Sequence, residues 1–181
     1  MGILLNSGNT EFEEAVNAEI YVDKTLLIEY ANRVLRTPQK YICVSRPRRF
    51  GKSMAANMLT AYYSKGCDSR ELFSTYKISA SDSFEKHLNK YNVIHINMVE
   101  YLTEAKSIEN LIKYIEDDII GDITDSMPEL VMPRRISLTK VLTSAFNQFK
   151  IPFIFIIDEW DCIFRKSSIR SEEYTAYLDF L

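Results

Sequence analysis

The chain has 181 residues, of which 46% are hydrophobic and 26% are charged, a composition typical of one globular domain with a sizeable core. Its net charge of -3 gives no overall attraction for nucleic acid or for an anionic membrane. Three widely spaced cysteines and two histidines argue against a zinc site and a disulfide framework, and they suit reduced thiols in the cytoplasm. The sequence has neither a signal peptide pattern nor an apolar run of the ~20 residues that a membrane helix needs, so we expect no membrane partner.

Three short runs in the sequence predict buried strands, at residues 41–45, 93–98 and 153–157. Each run is rich in β-branched and aromatic residues and is apolar on both faces, which is typical of a parallel sheet covered on both sides. Strands of this kind that alternate with helices predict an α/β fold with a mostly parallel sheet.

Amphipathic helical patterns separate and flank these strands. They begin near Thr25, directly after Ser53, and at Ser107, Ser137 and Ser171. Thr25, Ser107 and Ser171 are placed to cap the first turn through their hydroxyls. The last helix runs to the end of the sequence without a stop signal, and three strands are few for an open sheet. We therefore expect a sheet that is incomplete at the C-terminus, in a piece of a longer protein.

A glycine-lysine-serine sequence lies between the first predicted strand and the next helix, which is the context that a phosphate-binding loop requires. Gly51 would let the backbone approach the phosphates, Lys52 would place its charge on their oxygens, and the Ser53 hydroxyl would bind Mg²⁺. Arg46 occupies the position of the first glycine in the standard pattern, so a basic strand-to-helix turn remains the alternative on this motif alone. The predicted nucleotide-binding loop consists of Arg46, Pro47, Arg48, Arg49, Phe50, Gly51, Lys52 and Ser53.

Two adjacent carboxylates end the third predicted strand, an arrangement known as a Walker B motif. Asp158 would hold Mg²⁺, and Glu159 would act as the general base for the water that attacks the γ-phosphate. A strand followed by a charged turn is the alternative, but five apolar residues before Asp-Glu, in a chain with a phosphate loop, are more specific. The predicted catalytic residues are therefore Lys52, Asp158 and Glu159, and the predicted metal ligands are Ser53 and Asp158.

Three motifs in this order resemble the predicted AAA-ATPase family of bacterial proteins: Y-V-D-K-T at 21–25, S-R-P-R-R-F-G-K-S at 45–53 and D-E-W-D at 158–161. The family itself has arginine where Arg46 stands, whereas it commonly has tyrosine where Trp160 stands. The resemblance implies a P-loop NTPase-like three-layer sandwich with ATP as the nucleotide. It also implies that the cofactor-binding set includes Tyr21, Asp23 and Lys24, near adenine and ribose; a short extended segment that leads into a helix is the alternative.

The resemblance further implies segments that would follow this sequence. One is a strand with a phosphate sensor, which in related ATPases lies between the first and third predicted strands. The sheet would then have a gap, or a second copy of the chain would fill it. Another is a nuclease-like domain, which would make nucleic acid a partner of the longer protein. Residues 1–181 would then be the N-terminal part of one ATPase domain, with a lead-in at 1–37 and a nucleotide-binding core at 38–181.

The function expected from the sequence is ATP binding with Mg²⁺-dependent hydrolysis that regulates an effector domain, and for this chain alone we expect binding. One alternative is a nucleotide-dependent switch without significant hydrolysis, against which the intact acid pair argues. The other is a nucleic-acid-associated module that acts through Arg46, Arg48 and Arg49, against which the acidic overall balance argues. A solvated basic loop is a further interpretation of these arginines.

Overall fold

In the computed structural model, which describes residues 2–45, 47, 49–165 and 171–181, two parallel strands form a small sheet. They are β1 (Asn92–Asn97) and β2 (Phe153–Asp158), which pair from Asn92 opposite Phe153 to Asn97 opposite Asp158. The carboxyl ends of both strands therefore lie side by side. Both strands confirm predictions, with bounds that differ from the predicted ones by about one residue. The described helices are α1 (Thr10–Val16), α2 (Leu26–Val34), α3 (Lys52–Tyr63), α4 (Arg70–Phe73), α5 (Phe84–His87), α6 (Met98–Glu104), α7 (Ile108–Ser126), α8 (Leu138–Phe149) and α9 (Ser171–Phe180), with 3₁₀ helices at Lys77–Ala80 and Trp160–Arg165.

Helices cover both faces of this sheet because both faces of its strands are apolar. Ile94 and Ile96 of β1 belong to a core that α7 and α8 complete, whereas Val93 of β1 and Ile156 of β2 belong to a second core with α2 and α3. All four side chains are at most 9% exposed. The fold is thus mixed α/β with helices on either side of a parallel sheet, as the sequence predicted.

Helix α7 shows how the sequence specifies the larger core. Its buried residues recur every three or four positions, which places them on one face: Ile108, Leu111, Ile115, Ile119 and Ile123. Ser107 caps the helix as predicted, because its Oγ accepts a hydrogen bond of 3.2 Å from the amide of Asn110. No helix in the described ranges is both long and apolar enough to cross a membrane.

The prediction of a strand at residues 41–45 is wrong, because this segment has no regular secondary structure. Tyr41 is 84% exposed, and Ile42 and Val44 are 40% and 41% exposed. A short strand is stable only when its amides and carbonyls are paired and its apolar side chains are covered. Here β1 occupies one edge of β2. The other edge of β2 is open within the described ranges, but residues 41–45 do not pair with it and remain exposed.

Candidate functional site

The direction of α3 brings its first turn to the carboxyl ends of the two strands. The last turn of α3 lies at their amino ends, since the amide of Tyr91, directly before β1, donates a hydrogen bond of 3.0 Å to the carbonyl of Tyr63. The helix packs against both strands and runs back along them, antiparallel to their direction. Lys52 and Ser53 consequently lie beside the carboxyl ends of β1 and β2, near Asp158 and Glu159.

The loop before α3 is held in a conformation that requires glycine at one position. Gly51 has φ 73° and ψ 39°, a left-handed conformation that residues with a side chain rarely adopt. A Cβ at this position would also lie 2.7 Å from Nζ of Lys24. That ammonium donates a hydrogen bond of 2.8 Å to the carbonyl of Phe50, so Lys24 fixes the loop two residues before the first residue of the helix. The predicted loop residues Arg46 and Arg48 lie outside the described residues.

A cleft of about 400 Å³ opens at the carboxyl ends of the strands, and its volume is within the size range of small-molecule sites. Its walls come from the loop, from the first turn of α3, from α6 and from the segment after β2. The lining residues are Arg49, Gly51, Lys52, Ser53, Met54, Val99, Glu159 and Arg165. Three of them are cations and one is an anion, and the N-terminus of the 12-residue helix α3 adds its positive dipole end. The cleft is therefore suited to a negatively charged ligand.

The acidic wall of the cleft is formed by the two residues at the end of β2. Asp158 pairs with Asn97 of β1, and its Oδ1 accepts a hydrogen bond of 2.9 Å from the amide of Glu159. Glu159 has φ 53°, again left-handed, and this turn directs its side chain to the cleft. The chain then enters the 3₁₀ helix Trp160–Arg165, in which the amide of Cys162 donates to the carbonyl of Glu159 at 2.9 Å.

Arg165 is a site residue that the sequence analysis missed. It follows Glu159 by six residues, which is two turns of a 3₁₀ helix, and both side chains therefore reach the same side. Its guanidinium forms an ion pair with Glu159 and lies 3.7 Å from Asp161. The hydrogen bond to Glu159 raises the pKa of Arg165 above its usual value. The six-residue spacing from Glu159 to Arg165 indicates this ion pair only if the intervening segment is a 3₁₀ helix, which the sequence did not predict.

The structure brings half of the ten predicted catalytic and loop residues into one cleft: Arg49, Gly51, Lys52, Ser53 and Glu159. Asp158, the residue before Glu159, is not among the lining residues. Within the described ranges no group of three or more His, Cys, Asp or Glu side chains could hold a metal. The predicted ligands Ser53 and Asp158 are both oxygen donors, which Mg²⁺ prefers, and Mg²⁺ commonly takes its remaining ligands from phosphates and water. The donor types therefore fit Mg²⁺ that arrives with a nucleotide.

The motif at residues 21–25 acts mainly on local structure. The carboxylate of Asp23 accepts hydrogen bonds from the Thr25 amide (2.8 Å), the Thr25 hydroxyl (2.7 Å) and the Lys77 amide (3.1 Å). Partial burial raises the pKa of Asp23, but these hydrogen bonds outweigh burial and the net pKa lies below its usual value. Thr25 directly precedes α2, where the sequence predicted a cap, but its hydroxyl makes no cap hydrogen bond, so the predicted capping is wrong.

Tyr21 and Asp23 do not line the cleft, and Lys24 is the motif residue that contacts the loop. The Tyr21 ring packs edge-on against Tyr76 with centroids 5.3 Å apart, and burial raises its pKa to about 12. The structure thus places these two side chains away from the cleft, while Lys24 lies at its phosphate-loop end.

Fold and site together define a class: an α/β protein in which a Gly-Lys-Ser helix start faces the acidic end of a parallel strand. The family model described as Predicted AAA-ATPase matches residues 7–181, and the chain belongs to this family. The resemblance inferred from the three motifs is confirmed, and membership supports nucleotide binding in general. Searches among curated proteins and among solved structures returned no match.

Proposed function

We propose that the cleft binds the triphosphate of ATP as its Mg²⁺ complex and that the bound ATP is hydrolysed. One observation carries the proposal: the first turn of α3, with Lys52 and Ser53, shares a single cleft with Glu159. The backbone amides of that turn have no partner within the helix and can bind phosphate oxygens. In this proposal the core is a P-loop NTPase-like sandwich with Lys24 supporting its loop.

In the proposed reaction, the oxygen of a water molecule attacks the γ-phosphorus of ATP. The bond between that phosphorus and the β,γ-bridging oxygen breaks, and ADP leaves with the electron pair. Glu159 accepts the proton of the attacking water, and Lys52 stabilises the charge on the phosphate oxygens. When bound, Mg²⁺ held by Ser53 and Asp158 would neutralise charge on the β- and γ-phosphates.

Phosphate release from ATP tests this proposal. Lys52→Ala removes the phosphate-binding charge, and Glu159→Gln removes the base while keeping size and shape. We expect each change to lower turnover by about 100-fold or more. Lys113→Ala is the matched control, because Lys113 is exposed on α7. Turnover that neither site variant lowers would contradict the assignment.

A nucleotide-dependent switch without significant hydrolysis is the second candidate function. The observation that favours it is the ion pair between Glu159 and Arg165, because this contact occupies the carboxylate that would accept the proton of the attacking water. ATP binding that depends on Lys52, combined with no phosphate release by the unmodified chain, would select the switch.

The open edge of β2 supports a proposal on assembly. Tyr41 and Phe155 are exposed at 84% and 42%, and the outer edge of β2 has no partner strand within the described ranges. Such edges readily accept another strand. We propose a second copy of the chain as the occupant, and sedimentation equilibrium would then show dimers at micromolar concentration. A monomer over the whole accessible concentration range would contradict it.

A further inference from the structure

One stretch of the chain carries many positive charges and no negative charge. Residues 30–67 contain eight Lys and Arg and no Asp or Glu, whereas the rest of the chain contains 14 Lys and Arg against 25 Asp and Glu. The net charge of -3 therefore combines a basic stretch with an acidic remainder. Two of the eight cations, Arg49 and Lys52, line the cleft, and the others need a separate explanation. A local excess of positive charge of this kind is typical of a site for a polyanion.

The cations that precede the phosphate loop lie on an exposed surface outside the cleft. We call this surface the basic strip, and it consists of Tyr30, Arg33, Arg36, Lys40 and Tyr41, which are all exposed. None of the five lines the cleft. Within the described ranges, its three cations form no ion pair with a carboxylate. Their charges are therefore accessible to an anion in solution.

Two consecutive turns hold the basic strip at the end of α2. The amide of Thr37 donates a hydrogen bond of 3.1 Å to the carbonyl of Val34, and the amide of Lys40 donates one of 3.2 Å to the carbonyl of Thr37. Arg36 lies in the first of these turns with φ 62°, a left-handed conformation that favours glycine after a helix. Residues held in such conformations cluster at binding and catalytic sites. The backbone of Arg36 thus supports a binding role for its side chain.

Arg36 lies near the amino ends of the strands, whereas the cleft lies at their carboxyl ends. Burial lowers the pKa of His87, and the positive charges of Lys86 and Arg36 lower it further, so both cations lie near this ring. The His87 ring stacks on that of Tyr91, the residue directly before β1, with centroids 5.9 Å apart. Glu85, on the same short helix as Lys86, forms an ion pair with an arginine of α4, which balances its charge. The positive surface therefore continues beyond the basic strip at this end of the molecule.

Exposed aromatic rings accompany the cations of the basic strip. Nζ of Lys40 lies 5.3 Å from the ring centroid of Tyr41, and the guanidinium carbon of Arg33 lies 5.6 Å from that of Tyr30. Tyr41 is 84% exposed and Tyr30 is 46% exposed. Cations that contact phosphates, beside aromatic rings on which bases stack, are the combination that binds single-stranded nucleic acid. In a duplex the bases stack on one another and are not accessible to such rings.

We propose that the basic strip binds single-stranded nucleic acid, with phosphates on Arg33, Arg36 and Lys40 and a base stacked on Tyr41. A membrane fits less well, because its negative plane would also meet the three glutamates of α1, which packs in the same core as α2. A single strand is narrow enough to follow the basic strip alone. The inference goes beyond the proposed function, because it concerns a surface outside the cleft and requires no ATP.

Fluorescence anisotropy of a labelled oligo(dT) strand of about 20 nucleotides, titrated with the full chain without ATP, tests the proposal. In about 50 mM salt, the triple variant Arg33→Gln, Arg36→Gln and Lys40→Gln should bind about 30-fold or more weakly than the unmodified chain. The slope of log Kd against log salt concentration should fall by about 2, since each phosphate contact with a single strand contributes about 0.7. No binding of the strand by the unmodified chain would overturn the proposal.

A second triple variant is the matched control for charge. Lys106→Gln, Lys113→Gln and Lys140→Gln remove the same charge from exposed positions on or next to α7 and α8, which pack in the other core. This variant should change the affinity by less than about threefold, because charges far from the strand are screened by salt. Equal losses in the two triple variants would show a general charge effect and would overturn the proposal.

The stacking contact is tested at Tyr41. Tyr41→Ala should lower the affinity for the single strand by about fivefold or more and leave the affinity for a duplex of the same length within about twofold. Tyr41→Phe keeps the ring and should bind like the unmodified chain. A loss in Tyr41→Ala that is equal for single strand and duplex would contradict base stacking and overturn the proposed binding mode.

Two competition experiments locate the strand and identify the partner. Saturating Mg-ATP should leave the oligonucleotide bound, and displacement by ATP would show that the strand occupies the cleft instead. Vesicles of anionic phospholipid should not sediment with the chain, and vesicle binding that the strip variant abolishes, without oligonucleotide binding, would identify a membrane as the partner and overturn the proposal. Oligonucleotide binding and ATP turnover are separate measurements, so the failure of this proposal is distinguishable from the failure of the proposed function. Thermal unfolding of each variant confirms that affinities are compared between folded proteins.

Discussion

The conformation of Gly51 makes a quantitative prediction about the phosphate loop. Gly51→Ala adds a Cβ to a residue with φ 73° and ψ 39°. A left-handed conformation costs a residue with a side chain about 1–2 kcal/mol relative to glycine. The new Cβ would also lie 2.7 Å from Nζ of Lys24, so that flexible side chain must move and give up its hydrogen bond to the carbonyl of Phe50.

The two costs add to about 2 kcal/mol, because one exposed hydrogen bond contributes about 0.5 kcal/mol at the lower end of its range. If the loop keeps its conformation, the loss appears as a midpoint of thermal unfolding lower by about 4–8 °C for a chain of this size. If the loop relaxes instead, stability is retained and ATP affinity falls by about tenfold or more. Urea unfolding and ATP titration on the same sample measure both quantities.

Gly121→Ala is the matched control for this prediction. Gly121 lies within α7, and a Cβ at this position would contact nothing within 4 Å. The same substitution should therefore stabilise the protein by about 0.5–1 kcal/mol. In a Lys24→Ala background, Gly51→Ala should cost about 0.5 kcal/mol less than in the unmodified protein, because that background already lacks the hydrogen bond to the Phe50 carbonyl. A Gly51→Ala variant as stable as the Gly121→Ala variant, with unchanged ATP affinity, would show that the loop does not require glycine at this position.

Three further predictions concern stability. Ser107→Ala should cost about 1 kcal/mol in urea unfolding because it removes a cap hydrogen bond, whereas Ser137→Ala should cost less than about half of that, since Ser137 makes no such bond. Thr60→Val should stabilise the protein by about 1 kcal/mol, because the buried Thr60 hydroxyl has no hydrogen-bond partner in the described ranges; a loss of stability would contradict this. Burial lowers the pKa of His95, so the folded protein binds fewer protons than the unfolded chain and should lose stability as pH falls below about 6.5. His95→Gln should flatten this part of the stability–pH curve, and an unchanged slope would show that other groups cause it.

The elements that local patterns determine were predictable from the sequence. Helix α7 repeats its apolar residues at helical spacing, and β1 and β2 are short apolar runs that suit burial on both sides. Helix α3 follows directly from the Gly-Lys-Ser sequence. In α7 and β1 the residues that define the element also supply most of its burial, so few distant contacts are needed to predict these two elements.

The features that depend on distant partners were not predictable in this way. Residues 41–45 have strand composition, but a strand forms only where the segment docks against a neighbouring strand, and these residues do not pair with the open edge of β2. The sequence likewise marked Lys24 as part of a motif, but its contact with the carbonyl of Phe50 depends on how α2 sits beside the loop. The position of Ser137 directly before α8 was predictable from the sequence. The absence of a cap hydrogen bond from its side chain was not, because it depends on the side-chain conformation.

In the proposed function, the phosphates of ATP bind between the first turn of α3 and Glu159. A crystal structure of the chain with Mg²⁺ and a non-hydrolysable ATP analogue measures this directly. We expect the β- and γ-phosphates within hydrogen-bond distance of Lys52 and of the α3 backbone amides, in the cleft that Glu159 and Arg165 line. An analogue bound elsewhere, or bound in this cleft with its phosphates directed away from Lys52, would contradict the proposed function.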